Sequence, residues 1–354
     1  MAVPDTSHDV SPAPLTPSNR AADFTLMLPG RTRDWAPHFL ILALIAVAFL
    51  VVRSVPTWIT LTVAALAMGM MLFVMASGLT LVFGLMDVMN FGHAGFVAVG
   101  AYSATLLVGL VNDLLTRPSA LSDFEKIAII LLSSMAITAL IGWIFERLFI
   151  KPVYGNYLKQ ILITIGALII VEQALLVIFG SNQMLLPRPE TFRGSLAIGN
   201  VSIERYRLVA VGLGAVVFVL LTLLLNFTRI GLLIRASVEN YEMVEALGYR
   251  TRRIFVAVFV AGSALAGLGG AMWGFYNEQF TFSIGSDVLV QMLIIVIIGG
   301  PGSITGCFIG AILVALVSNY VNFLLPDLAL VSNIAVMMLV LLWRPRGLFP
   351  LSKH

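Results

Sequence analysis

Charge is scarce in this chain. Only 11% of its 354 residues are Asp, Glu, Lys or Arg, against about 25% in an ordinary soluble domain. Apolar residues make up 59% and mean hydropathy is +1.00, so water is not the main solvent of its surface. Cysteine is almost absent: Cys307 stands alone, which excludes an intramolecular disulfide, a CxxC redox pair and a cysteine zinc site. It lies in an apolar stretch and reads as packing. Histidine is limited to His8, His38, His93 and His354, too dispersed to begin a metal site. Among the lysines Lys126, Lys151, Lys159 and Lys353, none is followed by Ser or Thr. A Walker P-loop is therefore missing and the chain cannot hydrolyse ATP by that route. Neither GxSxG nor HExxH occurs, so no enzyme chemistry is expected. A net charge of +3 and a pI near 9.1 do not point to nucleic acid, because the Lys and Arg residues are scattered between apolar runs.

Long apolar runs are what the chain has instead. Residues 1–37 differ from the rest, carrying Pro4, Pro12, Pro14, Pro17, Pro29 and Pro37 among Ser, Thr and Asp. Such composition buries too little to order itself, and a disordered cytoplasmic tail is expected. From Phe39 onward apolar stretches run over roughly 39–52, 58–85, 94–111, 127–149, 161–179, 208–225, 254–275, 288–300, 304–323 and 328–343. An α-helix needs about 20 residues per crossing, so the first and eighth stretches are marginal. The expectation is an all-α, polytopic transmembrane bundle of 8 to 10 helices. The runs are continuous and lack the alternation of a barrel strand, so strands are not expected. Ten crossings with both termini inside put Lys and Arg about two to one on the inner side, which favours that orientation. The transmembrane domain would occupy 38–345, with cytoplasmic residues at 346–354.

Three stretches break the apolar pattern. In GLTLVFGLMDVMNFGHAGF (78–96) a long helix meets Asp87, Asn90 and His93 among glycines. A carboxylate at membrane depth costs about 2.5–3.5 kcal/mol on insertion scales. These residues therefore either line the translocation path at a broken helix or form a cytoplasmic turn in which Asp87 and Asn90 cap the next helix. Glu172, inside the fifth run, reads as a proton relay or as one half of a polar pair, and Glu146 with Arg147 as an interfacial anchor. In IGGPGSITGCFIG (298–310) the residues Gly302, Gly306 and Gly310 recur every fourth position. That spacing suits close helix packing, as do Gly270 and Gly274. The preceding turn, Gly299, Gly300, Pro301 and Gly302, reads as a hinge or a re-entrant tip.

The third break, RIGLLIRASVENYEMVEALGYRTRR (229–253), is the most informative. Val238, Tyr241, Val244 and Leu247 recur every three residues beside Glu239, Glu242 and Glu245. This predicts a short amphipathic helix, N-capped by Ser237 and C-capped by Gly248. A membrane-surface helix carries Lys and Arg on its polar face, whereas this one is acidic, which favours a protein partner.

These stretches resemble the permease subunits of ABC importers for branched-chain amino acids. The likeness rests on 78–102, on RASVENYEMVEALGYRTRRIFVAVFVAGSALAGLGGAMWG (235–274), on GGPGSITGCFIGAILVALV (299–317) and on WRPRGLFP (343–350). The resemblance implies that Glu245, Ala246 and Gly248, with Val238, Tyr241 and Val244, dock into a groove on a cytoplasmic ATPase. It further implies two ATPase subunits, a second permease subunit, identical or related, and a periplasmic substrate-binding protein. No cofactor would be held by this chain, ATP and magnesium residing on the ATPases. The implied setting is a bacterial inner membrane, and the implied cargo is leucine, isoleucine, valine or a related small amino acid or amide. The alternative is a proton-coupled secondary transporter using Glu172 or Asp87. A third class, a membrane scaffold or receptor, has no positive support in the sequence.

Overall fold

The computed structural model describes residues 36–86, 88–115, 122–239 and 241–349. The expected tail therefore lies almost wholly outside the described residues, and Asp87 does too. The helices are α1 (Ala36–Val52), α2 (Val55–Met86), α3 (His93–Leu115), α4 (Asp123–Phe145), α5 (Tyr157–Phe179), α6 (Arg205–Phe227), α7 (Arg229–Glu239), α8 (Tyr241–Ala246), α9 (Thr251–Asn277), α10 (Ile284–Gly299), α11 (Ile304–Leu324) and α12 (Ala329–Trp343). Every expected apolar run is a helix. Among the described residues 7 helices are long and apolar enough to cross a membrane, while the stretches Phe39–Val52, Ile284–Gly299 and Val331–Trp343 are shorter. The chain is a predominantly helical, multi-pass membrane protein of the all-α class.

The centre is built from α2, α9 and α11, with α3 and α4 packed on α9 and α6 packed on α2. Lipid offers no hydrophobic drive for helices to associate, so close packing through small residues has to hold them together. A Cβ on Gly100 of α3 would stand 2.3 Å from the Gly267 carbonyl oxygen of α9, and one on Gly84 of α2 would stand 2.0 Å from the Gly302 Cα. Gly306 and Gly310 do form one face, set against Gly299 and Ile295 of α10. Gly302 does not belong to that face: it sits in the turn before α11 with φ +82°. The helix begins only after Ser303, whose hydroxyl caps it by accepting from the Gly306 N–H at 3.1 Å. Cys307 is fully buried in the core.

The carbonyls left open where α10 ends at Gly-Gly-Pro-Gly find donors in the C-terminal segment. The Leu348 N–H donates to the Ile298 oxygen at 2.8 Å and the Phe349 N–H to the Gly299 oxygen at 3.1 Å. Leu348 is 1% exposed. Gly347, Leu348 and Phe349, within the expected cytoplasmic residues 346–354, thus pack on the body while Arg346 is exposed.

Short strands also occur, against the expectation of none: β1 (Met184–Leu185), β2 (Ser195–Ile198), β3 (Val201–Glu204) and β4 (Gln279–Phe280). β2 and β3 pair antiparallel with Ile198 opposite Val201, turning through Gly199 and Asn200, a pair suited to a two-residue hairpin. β1 pairs with β4. All four lie between the apolar runs, where composition is mixed and the membrane argument is silent. Arg188 fastens this region to the end of α9. Its Nε donates to the Phe275 carbonyl at 2.7 Å, and its guanidinium pairs with Glu278 at 3.1 Å and Glu204 at 3.4 Å.

Candidate functional site

The connection between α6 and α9 is where the chain leaves the bundle and returns. α6 ends at Phe227, and Thr228 in extended conformation begins the next helix, its hydroxyl accepting from the Gly231 N–H at 3.2 Å. Gly231 is required there, since a Cβ would stand 2.1 Å from the Leu225 carbonyl oxygen. The helix therefore starts nine residues earlier than Ser237 suggested, at Thr228. Ser237 is no N-cap: it is buried inside α7, with its hydroxyl bonded back to the Leu233 carbonyl at 2.7 Å. Ile234 of α7 and Val244 of α8 are buried and hold the unit against the body.

α8 ends as the sequence predicts. Gly248 has φ +86°, the Tyr249 N–H reaches the Val244 carbonyl at 3.2 Å, and the Gly248 N–H reaches the Glu245 carbonyl at 2.9 Å. This pair of bonds is a Schellman motif, which needs a residue tolerant of the left-handed conformation. The Glu245 carboxylate then accepts from the Thr251 hydroxyl at the first residue of α9. This bond and the four residues 247–250 tie α8 to a spanning helix.

The apolar face divides differently from its three-residue spacing. Val244 is 4% exposed and turned inward, whereas Leu247, in the turn after α8, is 71% exposed. Met243 at 60% and Tyr249 at 50% join Leu247, flanked by exposed Glu242, Glu245 and Ala246. The outward surface is thus apolar with an acidic border, on the far side from Val244. The backbone of Val238 and Tyr241 lies in α7 and α8, but their side chains lie outside what is described.

The residues of the α2–α3 break go elsewhere, into the core. His93 is fully buried and its Nε2 lies 2.9 Å from the Met75 carbonyl oxygen of α2. Asn90 is 2% exposed, and neither amide atom has a hydrogen-bond partner. Its side chain does not cap α3, because its backbone carbonyl takes the His93 N–H instead, at 3.2 Å. Asn90 borders a cavity of about 40 Å³ lined by Leu79, Phe83, Met89, Leu293 and Val296. Glu172 on α5 is half-buried, with Oε1 buried and unpartnered. Asn90, His93 and Glu172 lie on different elements from α8, and no side-chain hydrogen bond joins the three to one another.

Glu146 is not an interfacial anchor. It is 1% exposed, sits where α4 passes into a π-helical turn (Glu146–Ile150), and accepts from the Tyr154 hydroxyl at 3.3 Å. Burial first, and then the Glu146 carboxylate, push Tyr154 above its ordinary pKa, so it stays a donor. Arg147 is the exposed member, its guanidinium 5.2 Å from the Trp143 ring centre. An acid at the end of an apolar run with a tyrosine eight residues on was the available signal, and the run's end made it look like surface.

The description "Branched-chain amino acid transport system / permease component" fits residues 61–342. The chain belongs to the branched-chain amino acid transport permease family. It is 27% identical to the high-affinity branched-chain amino acid transport system permease protein LivH of Salmonella typhimurium, over 77% of this chain and 89% of that one. Identity to BraD of Pseudomonas aeruginosa is 26%, over 81% and 94%. Identity to LivM of Escherichia coli is 28%, over 92% and 77%. No solved structure matches this permease.

Proposed function

We propose that this permease is the membrane-spanning subunit of an ATP-driven ABC importer and forms the translocation path for branched-chain amino acids or a close relative of them. The observation that carries the reading is α8. A spanning bundle with no P-loop pushes a short, capped helix outward between two of its long helices and presents Met243, Leu247 and Tyr249 with an acidic border. An exposed apolar patch rimmed by polar residues is a protein contact, and in this reading the contact is a groove on an ATPase. ATP binding moves α8, and the Schellman turn and the Glu245–Thr251 bond pass that motion to α9. Two states biased by the ligand are enough for alternating access. The relatives named as branched-chain amino acid permeases support the cargo and a second permease subunit; the setting in this reading is a bacterial inner membrane with both termini inside, the side the Lys and Arg distribution favours. An extracytoplasmic binding protein delivers the substrate.

A Glu245→Cys variant paired with a cysteine in the ATPase groove tests the contact. Oxidation should yield a disulfide-linked permease–ATPase band whose intensity changes with nucleotide. Cys307, fully buried, does not compete for it. No band in any nucleotide state would sink the docking claim.

A further inference from the structure

Helix α5 is poorly enclosed, as α6 is: only 17% of the most apolar part of each is buried. Gln160, Thr164, Leu168 and Leu175 form its inward face, set chiefly on α3 and on the 146–153 segment. Across the helix run Leu162, Gly166, Ile169, Gln173 and Val177, at three- and four-residue steps that keep them on one face. Leu162 is 70%, Ile169 53% and Val177 83% exposed, and a Cβ on Gly166 would meet nothing within 4 Å.

Two groups on α5 are unsuited to lipid. Gln173 is exposed six residues before the end of the helix; apart from Trp143 and Arg147, which stack on each other at the end of α4, no other exposed hydrogen-bonding side chain among the described residues lies more than one turn inside a long apolar helix. Glu172 beside it keeps a buried Oε1 without a partner. The exposed faces of two other peripheral helices are apolar at matching positions: Val216, Val219 and Leu223 on α6, Leu132 and Leu140 on α4. Polar side chains inside a membrane face protein or a water-filled path, and amides there act as contacts between helices.

We propose that the outward face of α5 is where the second permease subunit packs, with Gln173 hydrogen-bonded across the contact and Gly166 setting the closest approach. The occupant is a spanning helix of the same fold, with a small residue opposite Gly166 and a hydrogen-bonding group opposite Gln173. A glutamine meets that requirement by itself, since its amide is both donor and acceptor and pairs with its own copy across a two-fold axis. Lipid tails offer neither group, and a soluble partner does not reach the membrane-spanning part of α5. The proposal rests on the reading that the chain is one half of a two-subunit permease.

A photoreactive phenylalanine at Leu162 or Ile169, in native membranes containing the whole transporter, tests this. Both positions should give a covalent adduct identified by mass spectrometry as a permease subunit, this chain or another of its family. The same probe at Leu220 on α6 should give none. Gln173→Leu should weaken subunit association about three- to tenfold in detergent while leaving thermal stability of the chain unchanged. Adducts only with lipid, adducts with an unrelated protein, or equal yield at Leu220 would overturn the contact. Co-purification of an ATPase, scored in the same samples, separates the two claims. An ATPase without the α5 adduct sinks this contact alone, whereas the adduct without an ATPase sinks the ABC reading alone.

Discussion

At the scale of single residues, burial separates roles that the sequence left joined. Asn90 occupies 2% of its possible surface and satisfies neither amide atom within the chain. A buried unpartnered polar group costs about 1–3 kcal/mol. Asn90→Leu should therefore leave stability unchanged or raise it by about 1 kcal/mol in a detergent unfolding assay. If Asn90 serves transport, uptake falls in the same variant; uptake at wild-type level makes the residue a structural remnant. Arg188 is the opposite case, with its guanidinium engaged by backbone carbonyls and carboxylates at once. Arg188→Gln should cost about 2–3 kcal/mol, since hydrogen bonds to a charged group are lost, and should loosen the 181–204 region to protease. Glu172 decides between transport mechanisms. With Glu172→Gln, an ATP-driven permease keeps uptake within about twofold, whereas a proton relay loses it.

At the scale of elements, the helices were legible because a bilayer demands long apolar runs, and each run appears as a helix. The strands at 184–204 and 279–280 were not, because outside the hydrocarbon no periodicity constrained them. The Gly248 cap was legible from one residue, since few others accept φ +86°. The start of the amphipathic unit was misread at Ser237 because the periodicity was counted only from Val238, whereas Thr228 already caps a helix and the Ser237 hydroxyl bonds back to Leu233. Asn90 and His93 were recognised as anomalous, but not the depth of their burial, which depends on α2 and α10, distant in sequence. Two substitutions test the elements. Gly248→Ala should cost about 1–2 kcal/mol through left-handed strain and leave the bundle intact. Gly84→Ala, whose Cβ would fall 2.0 Å from the Gly302 Cα, should lower the midpoint of thermal unfolding far more, because backbone rather than a flexible side chain must yield.

At the scale of the whole molecule, a glycine-packed centre of α2, α9 and α11 carries two surfaces that face outward. One is α8 with its apolar turn, wired to α9; the other is the polar seam of α5. Importing solute by ATP hydrolysis requires the first surface to be an ATPase contact, and that is the central claim. Leu247→Arg probes it cleanly, because Leu247 is 71% exposed and its replacement leaves the Glu245–Thr251 bond in place. The tagged wild type and Leu247→Arg should be purified in mild detergent, their partners identified and ATPase activity assayed. The account predicts that the wild type brings an active ATPase and that the variant, equally stable, loses at least nine-tenths of it, about 1.4 kcal/mol of contact. Undiminished ATPase on the variant, or none with the wild type under conditions that keep membrane complexes whole, would contradict it.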